Sequence, residues 1–448
     1  MLPQQENIVF QWHTKKKAHA QRFKDLTQVL SANVLLQEEK RQTLVAKIQQ
    51  QSMLAPPQYD TFAQTLLDNV ANYYQLLPEV MNNYYTQAGG MLNYALNRTE
   101  IALELFKQFI VQEDNLSVSE SQMLWQYALF SAALLKGIGK LQTELTVQVH
   151  DGHGLYLKPW LPLIESLPKV GAFYGYSHQE EGDALLRTRV NALLARSVMP
   201  DNGFAWIASD AQVLAVWLAL LNDDVHRAGT LGAILIRADA LAIQRYLYQL
   251  YMNVAAKKTA HHRLNAFTER ASNTTLELNT GIEFSQWLTK SLSEGTLMVN
   301  QPPLLGVPGG VLLCPDVFKL FVQHHPQFNS WQAVQKGFLA LQLHQTNAEG
   351  QVMHRVNQPN GQPMLSGVLC RDYAVLLPNE VACYDEAQAK PVSLSAVALI
   401  HQKECMHDTG LSHTDVAQTL THLTREGFWA PVLSSAPSSG LNPQLSAQ

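Results

Sequence analysis

The sequence predicts a mainly α protein in which a large helical bundle precedes a smaller α+β domain. Two patterns carry that reading. From about residue 62 to 250, apolar residues recur three and four apart, the spacing of helices that bury one face. After about residue 280 the chain alternates short helical stretches with apolar runs of four or five residues around Pro and Gly, as short strands and turns do. Composition bounds the rest. The 448 residues are 46% hydrophobic and 15% charged, with net charge −5; roughly 25% charged is average. The hydrophobic share excludes general disorder, and the length allows two or three cores. The absence of a basic excess excludes a polybasic nucleic-acid coat, though a local basic patch remains open.

The elements follow in order. Residues 1–55 read as a polar helical extension, with Phe23, Leu26 and Leu30 at helical spacing behind Lys15, Lys16 and Lys17. A solvated helix start is the plainer account of those lysines, and a phosphate contact the sharper one. Pro56-Pro57 closes the segment. Residues 56–252 form the bundle, about seven helices in all, with helical spacing at 62–77, 91–109, 123–135, 184–198, 213–221 and 231–250 and breaks at Gly89-Gly90, Asp151-Gly152 and 200–203. The stretch 124–135 is apolar on nearly every face and is expected at the centre. Residues 253–281 read as a polar linker. In 282–380 a helix at 284–292 precedes β-like runs at 304–307 and 311–314, helices at 316–324 and 331–343, and runs at 352–356 and 364–369 around a turn-rich 357–363. Three helices and then a two-stranded ribbon is the order of a winged helix. Residues 381–432 read as a C-terminal helical extension of two helices, the second capped by Ser412 and closed at Gly427, and 433–448 as a disordered tail.

Cys314, Cys370, Cys383 and Cys405 are too few for a disulfide framework. The N-terminus has no apolar signal-type region, and the most apolar stretch, 128–135, is too short to span a bilayer. A cytoplasmic protein without membrane contact is expected.

The most informative stretch is 81–140, with NNYYTQAGGMLNYALNRTEIAL and WQYALFSAALLKGIGK. Downstream come Trp160-Leu-Pro-Leu-Ile-Glu-Ser-Leu, Gly203-Phe-Ala-Trp206, Arg237-Ala-Asp239, Trp287-Leu, Leu292-Ser-Glu-Gly-Thr-Leu-Met-Val-Asn, Gly310-Val-Leu-Leu and the segment from Trp331 to Gly350. In this order, over about 50–370, the segments resemble the TraI-type MobH relaxases of integrating conjugative elements. The resemblance implies an HD-domain-like bundle whose histidines and aspartates converge on divalent metal, which activates water at a phosphodiester.

At the positions where the family keeps its ligands, this chain carries other residues. Asn82, Asn83, Tyr84 and Tyr85 stand in the histidine cluster, Asn93 or Tyr94 at the next histidine, and Lys136-Gly137 at the His-Asp pair; Asp239 alone matches a carboxylate ligand. One carboxylate beside an ammonium does not hold Mg²⁺ or Mn²⁺ tightly. The expectation is therefore a degenerate site with no cofactor, a divalent metal being required only if the site were active. Lys136 is expected to pair with Asp239.

Other candidates are weighed singly. His150-Asp151 is a literal HD dipeptide, better explained by a hairpin turn with Asp-Gly at its tip. His178, Glu180, Glu181 and Asp183 suit the start of a helix more simply than a metal. Gly137-Ile-Gly-Lys140 lacks the remaining residues of a Walker A loop, so no nucleotide-driven motor is expected. Tyr84 is the candidate phenolate nucleophile, with Asp239 the other catalytic candidate; core packing is the plainer role for Tyr84, as for Tyr73-Tyr74. His401, Cys405, His407, Asp408 and His413 match no standard zinc spacing. Lys319, Lys336, His344, His354 and Arg355 are candidate phosphate contacts, a thin footprint for DNA.

Three functions stay open. The first is a relaxase-family DNA-processing protein of a conjugative or integrating element that binds transfer DNA, with nicking lost. The second is a non-catalytic scaffold binding conjugation or regulatory proteins. The weakest is a nucleotide phosphohydrolase, whose ligands are missing.

Overall fold

The structure, a computed structural model, describes residues 23–79, 84–110, 118–179, 183–261, 273–356, 364–385 and 388–409. Lys15 to Lys17, Asn82, Asn83, Glu180, Glu181, the ribbon turn 357–363, the helix expected from Ser412 and the tail 433–448 lie outside the described residues.

The chain begins with a strand, Thr27–Gln28 (β1), where a helix was expected from Phe23, Leu26 and Leu30. Tertiary pairing overrides the local spacing: β1 lies antiparallel to Phe173 and Tyr174. Leu30 then exchanges both backbone hydrogen bonds with the Gln75 side chain, each at 2.9 Å. Two helices follow, Ala32–Leu36 (α1) and Glu39–Gln51 (α2). After Pro56-Pro57, a π-helical turn Tyr59–Gln64 leads into Thr65–Tyr74 (α3).

The bundle proper is built on Gly90–Ile110 (α4) and Glu120–Leu135 (α5). Ser119 caps α5 in a capping box with Gln122, satisfying amides that the helix itself leaves open. From Leu124 to Leu135 every residue of α5 is buried, so this helix does occupy the centre, as its all-round apolarity requires. Two of its polar members tie it to neighbouring segments. Gln126 accepts from the Met53 amide (2.7 Å) and donates to the Gln51 carbonyl (3.1 Å), tying down the end of α2. Ser131 accepts from the Trp217 indole at 3.0 Å.

A short helix Lys140–Thr143 (α6) opens a part of the bundle that is not helical. Leu145–His150 (β2), Tyr156–Pro159 (β3) and Phe173–His178 (β4) join β1 in an antiparallel sheet of order β1-β4-β2-β3. The expected all-helical bundle is corrected here. The alternation of Leu145, Val147 and Val149, all buried, is the period-two pattern of a sheet with one face inward. Next come Ala184–Val198 (α7), Asp201–Ala208 (α8), Ala211–Leu221 (α9) and the long Val225–His261 (α10), which breaks at Gly229 with φ 56°. Among the described residues no single helix is long and apolar enough to cross a membrane. The pair α8 and α9 passes that test jointly, bent by 115°, but Val213, Trp217 and Leu220 of α9 are core residues.

The helix expected at 284–292 runs from Asn273 to Ser293 (α11), and α10 reaches His261, so both ends of the expected linker are helical and only 262–272 lie outside the described residues. Leu304–Val307 (β5), Gly310–Leu313 (β6), Pro315–His324 (α12), Trp331–Ala340 (α13), Met353–Val356 (β7) and Leu365–Cys370 (β8) follow. The four strands make an antiparallel sheet of order β5-β6-β8-β7. Beyond it the chain forms a hairpin, Glu380–Asp385 (β9) with Lys390–Ser395 (β10), before the helix Ala396–Thr409 (α14). The wholly helical extension expected over 381–432 is corrected by this hairpin, whose turn carries Ala389 at φ 50°.

One apolar core runs through both parts, from Leu35 to Ile400. Polar ties cross the same boundary. The Arg237 guanidinium, 2% exposed, donates to the carbonyls of Ala374 (2.9 Å) and Leu377 (3.0 Å) and to the Asn379 side chain (3.1 Å). Burial pushes it down to about 10. Gln244 donates to the Val375 carbonyl.

Helices α11 and α13 meet where neither has a side chain. A Cβ on Gly281 would lie 2.2 Å from the Gly337 carbonyl oxygen, inside any permitted contact. Gly281→Ala gains about 1 kcal/mol of helix propensity against roughly 1–3 kcal/mol of overpacking, so a net loss of up to about 2 kcal/mol is expected in urea unfolding. Gly152→Ala, with nothing within 4 Å, is expected to stay within about 0.5 kcal/mol of the parent.

Candidate functional site

The buried end of α5 sets the site. Helix ends leave carbonyls without intrahelical partners, and here that end lies inside the protein. Arg98, on α4 one turn after Tyr94, reaches it: Nε donates to the Ala133 carbonyl at 2.6 Å and a terminal nitrogen to the Lys136 carbonyl at 2.9 Å. Gly137 takes φ +79° directly after Lys136, a left-handed turn that glycine adopts without cost from a Cβ. The chain thus reverses while the Lys136 side chain extends toward α10.

There it meets Asp239. Lys136 Nζ is 2.7 Å from one Asp239 oxygen, and Arg98 donates to the other at 3.1 Å. Asp223, just past α9 at φ 57°, pairs with the same lysine at 3.2 Å. The pair expected between Lys136 and Asp239 is present, as part of a four-membered network of two cations and two anions. The Asp239 side chain is only 18% exposed. Burial alone would raise its carboxyl, but Lys136 and then Arg98 outweigh that and hold it down at about 2. Lys136 shows the mirror image: burial lowers it, while Asp239 and Asp223 raise it above the ordinary lysine value.

The remaining candidates are placed as follows. Tyr94 stacks on Tyr85 with ring centres 5.0 Å apart and lies under the Arg98 guanidinium at 4.9 Å. Asn93 accepts from Arg41 Nε at 2.7 Å. Tyr84 is 2% exposed and its hydroxyl donates to the Leu341 carbonyl; burial, with Asp372 and Cys370 nearby, raises the phenol well above its usual value. Lys140 of the Gly-Lys segment is ion-paired to Glu79. His150 ends β2 and Asp151 opens the β2–β3 turn, where it accepts from the amides of His153 (2.8 Å) and Leu155 (2.9 Å). Asp183 caps α7 through the amides of Leu185 and Leu186.

In the C-terminal part Lys319 pairs with Asp316 at 2.8 Å on α12, and Lys336 on α13 pairs with Glu277 at 2.9 Å. His354 and Arg355 lie on β7, with the His354 ring against the Gln345 carbonyl at 2.8 Å and Arg355 exposed. Their cationic groups therefore do not converge on the Lys136–Asp239 network.

A divalent ion is poorly served by this arrangement. Both Asp239 oxygens face cations, and no group of three or more His, Cys, Asp or Glu able to hold a metal occurs among the described residues. Sequence reasoning missed Arg98 and Asp223. Arg98 stood out only as a cation four residues after Tyr94, with nothing to mark its partners; Asp223, in a polar turn, carried no signal.

Residues 26–283 match the TraI_2 family model, described as a putative helicase. That is more than half of the chain, and the protein belongs to this family. Residues 279–387 match a second model, TraI_2_C, described as the putative conjugal transfer nickase/helicase TraI C-term. No curated protein matches the chain.

The network makes a pH-dependent contribution of definite sign. Asp239 titrates near 2 when folded and near 3.9 when unfolded. Its contribution, about 2 kcal/mol, is complete above about pH 4 and fades as pH falls through about 2. Asp239→Asn leaves the buried Arg98 without an anion and Lys136 with Asp223 alone, so a loss of about 3–5 kcal/mol at pH 7 is expected. Urea unfolding from pH 7 down to 2.5 is expected to show that deficit shrinking below pH 4; a deficit independent of pH would remove Asp239 from the titration.

Proposed function

We propose that this protein is a DNA-handling member of the conjugative relaxases of MobH type, in which an internal ion-pair network has replaced the metal centre. An HD-like helical domain at about 56–252 and a winged-helix-like domain at about 282–380 make up the working parts. The protein binds transfer DNA in the cytoplasm, and metal-dependent nicking is lost. The single observation that carries this reading is the pairing of both Asp239 oxygens with Lys136 and Arg98. A carboxylate already neutralised by two cations gains little from a divalent ion, whose binding would also have to displace a buried ammonium.

The family models support the transfer-protein half of the proposal. The three helices α11, α12 and α13 with the β7–β8 ribbon after them support the winged-helix half, the β5–β6 hairpin being an addition between the first two helices. Tyr84 fits a packing role better than a nucleophilic one, because a phenol hydrogen-bonded inside the core does not reach a phosphodiester. Lys140, ion-paired to Glu79, is likewise engaged away from any phosphate.

A second reading, a scaffold for transfer or regulatory proteins, is favoured by one observation. Lys319 and Lys336, which would face phosphates, are each matched by an acid, leaving little net charge to release counterions.

Supercoiled transfer-origin DNA with Mg²⁺ or Mn²⁺ is expected to remain unnicked by the protein and by Asp239→Ala alike; nicking that disappears in the variant would overturn the proposal. In mobility shifts, Arg355→Ala and Lys336→Ala are expected to weaken binding evenly across sequences, each reducing the salt slope by about one. Absence of any DNA binding at low salt favours the scaffold.

A further inference from the structure

Between the part carrying Asp239 and the C-terminal part lies a cavity of about 620 Å³, within the roughly 300–1,000 Å³ of small-molecule sites. Lys136 and Asp239 line it. The β5–β6 turn, Gly306 to Gly310, lines it too, with Arg371, Asp372 and Lys403.

Lys403 is the unusual group. Its side chain is half-buried, and its ammonium lies 3.4 Å from the Gly310 carbonyl and 5.6 Å from the Tyr373 ring centre. Unlike Lys136, it has no ion-paired carboxylate among the described residues. Gly306 makes room for it: a Cβ there would fall 2.2 Å from Nζ and 2.4 Å from the Asn300 side-chain oxygen. Burial pushes the amine down to about 8, against smaller opposing effects of Cys383 and Glu404. Such a cation gains from an anion that enters the cavity. Arg371, exposed and lining the same cavity, can supply a planar fork to an anion there.

The other lining groups say what the anion is attached to. Asp223, Asp372 and Glu404 place acceptors in the cavity, while Val225, Ile236, Val307 and Pro308 give it a partly exposed apolar surface. Cations, acceptors and apolar surface together suit a ligand that carries a phosphate, N–H donors and a flat ring, more than a bare anion.

We propose that this cavity binds a nucleotide monophosphate group, with the phosphate on Lys403 and Arg371 and the base against Ile236 and Val307. The choice of a nucleotide rests on the DNA-handling reading above. Its source is a free nucleotide or the phosphorylated end of a DNA strand.

Isothermal titration of the full chain with dAMP, deoxyadenosine, inorganic phosphate and a 5′-phosphorylated oligonucleotide tests it. Saturable dAMP binding is expected, weakened at least about tenfold by removing the phosphate, by Lys403→Met or by Arg371→Ala, the loss of one charge-assisted contact. Gly306→Val is expected to abolish it. Competition by the oligonucleotide assigns the strand end as the source; its absence assigns the free nucleotide. Equal affinity for deoxyadenosine and dAMP, or undiminished dAMP binding in Lys403→Met and Arg371→Ala proteins that unfold like the parent, overturns the site. Duplex binding, measured separately, distinguishes the two proposals: no dAMP binding with duplex binding retained removes this site alone. Conversely, dAMP binding without duplex binding removes the DNA-handling reading alone.

Discussion

The structure depends on how the inner end of its central helix is satisfied. A helix buried on every side cannot leave its last carbonyls to water, so a donor has to be brought to them. Arg98 is that donor, bonded to the carbonyls of Ala133 and Lys136. A guanidinium taken so far into the protein needs an anion, which Asp239 supplies; a carboxylate at that depth accepts a second cation, Lys136, and Lys136 in turn draws in Asp223. Each charge is the consequence of the one before it. The residues that look like a ruined metal centre in the sequence are a closed electrostatic unit in the fold.

That distinction explains what could be read in advance. The central helix was legible because a run without a polar face has only one place to go. The pairing of Lys136 with Asp239 was legible because the two stood at positions that the resemblance brings together. Arg98 was not, since its role is fixed by carbonyl groups, which leave no mark in a sequence. The N-terminal strand was hidden for a related reason. Thr27 and Gln28 are too short a run to show an alternation, and they pair because β4 offers an open edge to them. The β9–β10 hairpin was overlooked because its left-handed turn residue is Ala389 rather than glycine or asparagine, so the usual punctuation is missing.

The low charge content acquires a meaning from this arrangement. Glu79 with Lys140, Glu100 with Arg245, and Glu144 with Arg187 are further pairs in which the acid is nearly buried. These charges point inward and tie segments of the chain together, so they add nothing to a field that would draw nucleic acid from a distance. Contacts with a polyanion would then have to come from shape and from a few exposed groups such as Arg355, and association would be slower and less salt-sensitive than for a basic binding protein.

Arg237 has a consequence for inheritance. Two family models divide the chain near residues 279–283, as if two portable pieces had been joined. Yet a guanidinium rooted in the first piece is bonded to three groups of the second. An exchange of C-terminal parts between related elements would succeed only where the incoming piece offers carbonyls at the places of Ala374 and Leu377. Recombination at that boundary is therefore constrained from a position some forty residues away, and the two pieces are bound to change together.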